Sequence, residues 1–230
     1  MSLHLLIASV PWRRPSFRRL LTALADQTLK PDLVHVVLDG YGEDAAPPCI
    51  FPTREWRTST PVGPGGRWRI AREVPPDTML VVFDDDLVLA LAPHATATLV
   101  EAADGAAASS IGVTLSGRSG NIPTGEDLIC GSPCAGMVVR AGDLEGLQGL
   151  ADDVRAKCGF DALGDCGDDE ALVSALLWLR GVPIHHGCVP EIHSAQDCIE
   201  SQTKKRLAQG GVFWHQRREI ARVTGWPWTL

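Results

Sequence analysis

The chain opens with two apolar runs separated by an amphipathic segment. Leu3–Ser9 is a continuous apolar stretch of strand length, which is typical of a strand covered on both faces. From Phe17, apolar residues recur at i, i+3, i+4 and i+7 and predict a helix with one buried face. Residues 33–38 form a second buried run that ends at Asp39. Strand, helix and strand in this order predict a parallel β-α-β unit with a right-handed crossover.

The same alternation continues along the chain. The run Met79 to Phe83 predicts a third buried strand. We further expect a loop over 42–66, a short helix over 67–74, a helix over 93–103, a strand over 107–115, a long loop over 116–133, a strand over 135–140, a helix over 168–180, a short strand over 182–186 and a basic helix from about 200 to 223 before a Trp-rich end. This order predicts an α/β fold, with a mixed, mostly parallel central sheet flanked by helices, in one domain over 1–230.

Composition narrows the function classes. The chain has 230 residues, of which 45% are hydrophobic and 21% charged, so it is globular and long enough to bury a core. A net charge of -7 argues against a partner nucleic acid bound through a basic surface. Seven cysteines without a tight pairing pattern favour reduced thiols. No signal peptide and no apolar run of ~20 residues is found, so we expect a cytoplasmic protein without a transmembrane segment.

Three consecutive carboxylates follow the third strand. Asp84, Asp85 and Asp86 stand where an open α/β sheet binds its ligands, outside the carboxyl end of a strand. Such carboxylates repel one another unless a cation lies among them, and oxygen ligands suit Mg²⁺ or Mn²⁺, which often hold substrate phosphates. No GxGxxG follows the first strand and no GxxxxGK[ST] occurs, so dinucleotide and P-loop sites are not indicated. The triplet predicts metal-assisted handling of a diphosphate.

Several short motifs, in this order, resemble the family 2 glycosyltransferases with the GT-A fold. They are Gln27-Thr28, Asp39, Phe83–Asp86, Met137–Arg140, Gly159–Asp161 and Gly167–Leu172. The resemblance covers about residues 3 to 190. It implies a GT-A-type nucleotide-diphospho-sugar transferase fold and a nucleotide-diphosphate sugar donor.

The resemblance also implies which residues bind the donor. Asp39 matches the acid that recognises the nucleotide base, beside the loop that contains Ser9 and Pro11. The family usually has Ala-Arg-Asn before the metal strand; this chain has Gly66 to Ala71 there, and Arg67 or Arg69 is the expected nucleotide contact. Both arginines are equally compatible with a solvated surface, and Asp39 with a turn before glycine.

Metal binding and catalysis are assigned in the same way. Asp84, Asp85 and Asp86 match the DxD-type segment, with Asp85 expected on the ribose and Asp86 on the metal, Mn²⁺ or Mg²⁺. Asp169 matches the general base, although acids are favoured in a first helical turn in any case. His193 stands where a histidine completes the metal shell in several GT-A enzymes, but a lone histidine is more often structural.

These residues together predict a hexosyltransferase-like, metal-dependent enzyme that moves a sugar to a hydroxyl acceptor, with inversion through Asp169. Retention stays open, because the fold serves both outcomes. A sugar nucleotidyltransferase is the first alternative, but it needs a Gly-rich loop after the first strand, and residues 9–15 contain arginines and no glycine. An inactive binding or scaffold protein is the second; the presence of both acidic centres argues against it.

Overall fold

Two sheets and five helices make up the part of the protein that the computed structural model describes: residues 2–60, 62–87, 92–110, 112–114, 119–120, 128–131, 136–164, 167–189 and 212–226. The strands are β1 (Leu3–Ser9), β2 (Leu33–Asp39), β3 (Thr53–Thr58), β4 (Met79–Asp84), β5 (Ala107–Ser109), β6 (Gly112–Thr114), β7 (Ser119–Gly120), β8 (Leu128–Gly131), β9 (Met137–Arg140) and β10 (Ile184–His185). The helices are α1 (Arg14–Leu24), α2 (Ala95–Ala102), α3 (Leu147–Cys158), α4 (Asp169–Leu179) and α5 (Val212–Thr224). Three 3₁₀ helices occupy Pro11–Arg13, Pro64–Glu73 and Ala141–Leu144.

The larger sheet has seven strands in the order β10-β5-β9-β4-β1-β2-β3. Strand β9 runs antiparallel to its neighbours β4 and β5, and the other pairs are parallel. Strands β7, β6 and β8 form a separate three-stranded antiparallel sheet. The predicted mixed, mostly parallel sheet is therefore confirmed.

The inner strands are buried on both faces, as their continuous apolar runs predicted. Leu6 and Val82 point into one apolar cluster, which α3, α4 and α5 complete. Ile7 and Val81 point to the opposite side, into a cluster that α1 and α2 cover. Alternate residues of each strand thus supply two cores, and a polar substitution on either face would enter one of them.

Two predicted loops contain strands. Strand β3 lies within the predicted loop 42–66, and its sequence TREWRT is largely exposed. As an edge strand it needs no apolar alternation, and charged side chains on an edge discourage pairing with other chains. Strands β7 and β8 lie within the predicted loop 116–133, and the predicted strand 107–115 divides into β5 and β6 of different sheets. Helix α3 was not predicted, and the portion 200–211 of the basic helix lies outside the described residues.

Hydrogen bonds between ring nitrogens link the side chains of three neighbouring strands on one face of the sheet. Trp56 Nε1–H donates to His35 Nδ1 at 3.2 Å, and His35 Nε2 lies 3.1 Å from His4 Nδ1. His35 is 1% exposed. Burial, together with the neighbouring charges of His4 and Arg54, lowers the pKa of His35 to about 4. The ring is therefore neutral in the folded protein at neutral pH.

This histidine should make folding stability depend on pH. Because the pKa of His35 falls from an ordinary 6.5 to about 4 on folding, its contribution is present above pH 6.5 and is lost as the pH falls towards 4. We expect the free energy of unfolding to lose about 2 to 3 kcal/mol from this residue between pH 7 and pH 4.5. Urea unfolding of the wild type and of His35→Gln measures it. An equal loss in both proteins would contradict the assignment, because glutamine does not titrate.

Candidate functional site

Three parallel strands bring their last residues to one edge of the large sheet. The register pairs Ala8 of β1 with Asp84 of β4, and Ser9 with Leu38 of β2. Ser9, Asp39 and Asp84 therefore end neighbouring strands at the same edge, and all three are buried. This is the place at which open α/β sheets bind ligands.

Arg67 joins the acidic triplet to the start of α4. Its Nη1 donates to Asp84 Oδ1 at 2.7 Å, and its Nη2 lies 3.4 Å from Asp169 Oδ2. Arg67 is 2% exposed and Asp169 is 4% exposed. Two motifs that are distant in the sequence, the triplet and the first turn of α4, thus form one site.

Trp68 gives Asp169 its shortest hydrogen bond. The indole Nε1–H donates to Oδ2 at 2.7 Å, the same oxygen that Arg67 contacts. Burial raises the pKa of Asp169, and Arg67 and Trp68 oppose that rise because both stabilise the carboxylate. Both donors converge on Oδ2, which leaves Oδ1 as the oxygen that can accept a proton.

Two glycines set the position of Arg67 and Trp68. A Cβ on Gly65 would lie 2.7 Å from backbone atoms of Leu163, and a Cβ on Gly66 would lie 2.6 Å from the side chain of Val62. The 3₁₀ helix Pro64–Glu73 can therefore pack this closely only with glycine at these two positions.

Arg13 contacts the other two carboxylates of the triplet. Its Nη1 lies 2.8 Å from Asp85 Oδ1 and 3.2 Å from Asp86 Oδ2. The pKa of Asp85 is raised to about 6, because burial and the negative charge of Asp86 outweigh the lowering effect of Arg13. The sequence analysis did not single out Arg13; its place directly after β1, at the carboxyl edge of the sheet, is the signal that could have found it.

Asp39 holds the chain that follows β3. Its Oδ1 accepts a hydrogen bond from the hydroxyl of Thr58 at 3.1 Å, and its Oδ2 accepts from the backbone amides of Val62 and Gly63 at 3.1 and 2.9 Å. These bonds stabilise the turn that leads to Arg67. The predicted role of Asp39 in recognising a nucleotide base stays a prediction. Beside it, the Ser9 hydroxyl lies 3.0 Å from the Tyr41 hydroxyl.

The first turn of α4 is held by a residue that the sequence did not reveal. Asp168 caps the helix by accepting from the amide of Ala171 at 3.1 Å. Arg217 of α5 forms an ion pair with Asp168 and lies 3.3 Å from Glu170. Arg217 is buried rather than part of a basic surface. Helix α5 thereby fixes the start of α4, where Asp169 lies.

The other three predicted site residues have different outcomes. Arg69 is exposed and lines a separate cleft of about 180 Å³ with Trp68 and Leu147, away from the triplet that Arg67 contacts. Pro11 begins the short 3₁₀ helix that carries Arg13. His193 lies outside the described residues, so its predicted role at the metal stays a prediction.

The acidic residues fit a divalent cation. Four carboxylates, those of Asp84, Asp85, Asp86 and Asp169, lie together beside the guanidiniums of Arg13 and Arg67. Asp85 Oδ2 is buried and has no hydrogen-bond partner among the described residues. No group of three or more His, Cys, Asp or Glu side chains in the described ranges is arranged to hold a metal, but Mg²⁺ is commonly bound by one or two carboxylates together with substrate phosphates. Asp86, which the resemblance assigned to the metal, would hold it together with Asp85. The assignment of Asp85 to the ribose stays an untested prediction; we place Asp85 with the cation because one nitrogen, Arg13 Nη1, contacts both carboxylates.

Comparison with known proteins identifies the fold and no family. No family model and no curated protein matches the chain. The structure is similar to 2-C-methyl-D-erythritol 4-phosphate cytidylyltransferase (IspD) of Francisella tularensis, with a TM-score of 0.51 and 11% identity over 89% of this chain and 100% of that chain. It also matches S. aureus TarS 1-349, a GT-A family 2 glycosyltransferase, with a TM-score of 0.42 and 16% identity over 64% of this chain. The chain spans about half, 49%, of that structure.

The protein is therefore an α/β protein with the fold of nucleotide-sugar transferases and nucleotidyltransferases. The predicted fold class is confirmed. At 11% identity, the similarity to IspD concerns the fold alone. In the described part of the chain, every helix is too short or too polar to cross a membrane.

Proposed function

We propose that this protein is a divalent-metal-dependent glycosyltransferase. It transfers a sugar from a nucleotide-diphosphate donor to the hydroxyl group of an acceptor, with inversion at the anomeric carbon. The observation that carries the proposal is the Arg67 bridge, which brings Asp84 of the triplet and Asp169 of α4 into one buried network. A site for a diphosphate with its metal and a carboxylate base are the two parts that such a transfer needs.

Asp169 acts as the general base. Its Oδ1 removes the proton of the acceptor hydroxyl as the acceptor oxygen bonds to the anomeric carbon and the bond from that carbon to the diphosphate oxygen breaks. Trp68 and Arg67 hold Oδ2 and so fix the direction of Oδ1. Burial raises the pKa of Asp169, which makes its carboxylate a stronger base than an exposed aspartate.

Asp85 and Asp86 bind the donor side. Their carboxylates would hold Mn²⁺ or Mg²⁺, which supplies neutralisation of the charge that develops on the leaving diphosphate. Ser9 and Asp39, at the ends of the neighbouring strands, line the side on which the nucleoside binds. The negative charges of the neighbouring carboxylates repel an anionic donor unless a cation accompanies it.

Nucleotidyl transfer is the competing activity. It requires backbone amides that cradle a triphosphate after the first strand. In this chain Pro11 and Pro15 lack that amide, and the segment between them is taken up by a 3₁₀ helix and the start of α1. These features favour glycosyl transfer.

Incubation with nucleotide sugars tests the proposal. The protein is supplied with Mn²⁺ and a panel of UDP-, GDP-, CDP- and dTDP-sugars, and release of the nucleoside diphosphate through slow donor hydrolysis is measured. We expect release from one donor class, and none after chelation of the metal. A parallel incubation with nucleoside triphosphates and sugar phosphates that yields pyrophosphate would assign nucleotidyl transfer instead. Failure to bind or hydrolyse any donor would contradict the proposal.

A further inference from the structure

Arg13 forms ion pairs with the two carboxylates that, in the proposed function, hold the cation. One guanidinium nitrogen, Nη1, reaches both Asp85 and Asp86, at 2.8 and 3.2 Å. One positive group therefore already holds together the two carboxylates that would hold the cation. The side chains of Arg13, Asp85 and Asp86 are 17%, 2% and 9% exposed, so solvent screens these ion pairs little.

One buried oxygen of this acidic pair has no hydrogen-bond partner among the described residues. This atom is Asp85 Oδ2, and Arg13 supplies one positive charge to the two carboxylates. A divalent cation would neutralise both carboxylates and could use that oxygen as well. It would also free the guanidinium, which stands on the short 3₁₀ helix Pro11–Arg13 at the mouth of the site.

We propose that Arg13 is a binding residue of this site: its guanidinium and a divalent cation compete for Asp85 and Asp86, and the displaced guanidinium pairs with the diphosphate that accompanies the cation. This inference rests on the metal-dependent part of the proposed function. Guanidinium suits the second step, because its fork of N–H donors matches phosphate oxygens. Cation and diphosphate would therefore bind cooperatively, with Arg13 as the residue that couples them.

If Arg13 couples the two ligands, one substitution at this position should change the affinities for Mn²⁺ and for the nucleotide in opposite directions. In Arg13→Gln, Mn²⁺ alone should bind at least about tenfold more tightly than in the wild type, because a positive charge within hydrogen-bond distance of a carboxylate changes its affinity for a competing cation by at least that factor. In saturating Mn²⁺, the nucleoside diphosphate that binds the wild type, selected from UDP, GDP, CDP and dTDP, should bind Arg13→Gln about tenfold more weakly. Isothermal titration measures both affinities.

Arg18→Gln is the matched control. Arg18 lies on the exposed side of α1 and no described side chain pairs with its guanidinium, so this variant removes the same charge without touching the acidic pair. It should match the wild type in both titrations. A similar tightening of Mn²⁺ binding in Arg18→Gln would mean that net charge, and not the Arg13 contact, causes the effect, and would overturn the proposal.

The remaining outcomes separate this inference from the proposed function. If the wild type binds Mn²⁺ and nucleotide and Arg13→Gln binds them with unchanged affinities, the inference is wrong and the proposed function stands. If neither folded protein binds Mn²⁺, both are wrong. Should Arg13→Gln unfold because its acids have lost the Arg13 contact, Mn²⁺ must restore the fold, as seen by circular dichroism; a variant that stays unfolded in saturating Mn²⁺ contradicts the inference.

Discussion

Asp169→Asn should lower turnover by about 10² to 10⁴-fold, the range that a positioned general base contributes. Asparagine keeps an oxygen that can accept the Trp68 N–H, which lies 2.7 Å from Asp169 Oδ2, but it cannot take a proton from the acceptor. The substitution therefore removes the base while it preserves the indole contact. Turnover is measured as nucleoside diphosphate release with an acceptor, or as slow donor hydrolysis without one.

Asp168→Asn, at the preceding residue, is the control for Asp169→Asn. Asp168 caps α4 and pairs with Arg217, so its loss should reduce stability while the carboxylate of Asp169 is retained. If Asp169→Asn keeps full turnover while it remains folded, another group removes the proton and the assignment of the base is wrong.

Arg67→Gln should be the most destabilising single change in the site. Arg67 is the buried cation between Asp84 and Asp169, at 2.7 and 3.4 Å. Removal of one partner from a buried charge network leaves uncompensated charge and costs about 3 to 5 kcal/mol. Urea unfolding at pH 7 measures this loss.

Arg69→Gln is the control for the Arg67 variant. Arg69 belongs to the same 3₁₀ helix but is exposed and outside the acidic network, so its free energy of unfolding should change by less than about 0.5 kcal/mol. Equal effects of the two substitutions would mean that the ion pairs of Arg67 contribute nothing to stability, which contradicts the description of the network.

The two arginines also illustrate what the sequence could not decide. Both were equal candidates for a nucleotide contact, because the family motif places an arginine in this segment but does not determine whether it corresponds to position 67 or 69. The segment folds as a 3₁₀ helix, with three residues per turn, so side chains two positions apart point in different directions. Only Arg67 faces Asp84, and Arg69 lines another cleft.

Strand ends were predictable because they depend on local pattern. The continuous apolar run that ends at Phe83 placed the acidic triplet at the carboxyl edge of a buried strand, and the structure has β4 end at Asp84. The contacts among site residues depend instead on long-range packing. Arg13 and Asp85 are 72 residues apart in the sequence, and Trp68 and Asp169 are 101 apart. The periodicity of apolar residues does not predict contacts between residues so far apart in the sequence.

Strand β3 was missed for a different reason. Secondary structure was inferred from apolar alternation, and the sequence TREWRT has one apolar residue because the strand pairs only with β2 at the edge of the sheet. Pairing of backbone groups, rather than burial of side chains, holds it in place. Apolar alternation therefore marks the central strands of such a sheet more clearly than its edge strands.

Isothermal titration of a nucleoside diphosphate in Mn²⁺ into the wild type, Asp86→Asn and Asp169→Asn tests the central claim most directly. The claim is that the two acidic residues have separate roles. Asp86, which follows β4, helps to hold the metal and the donor, whereas Asp169, the first residue of α4, acts on the acceptor. We expect Asp86→Asn to weaken metal-dependent nucleotide binding at least about tenfold, since it removes charge from a cation ligand, and Asp169→Asn to bind nearly as the wild type does. Equal loss of nucleotide binding in both folded variants would contradict the account.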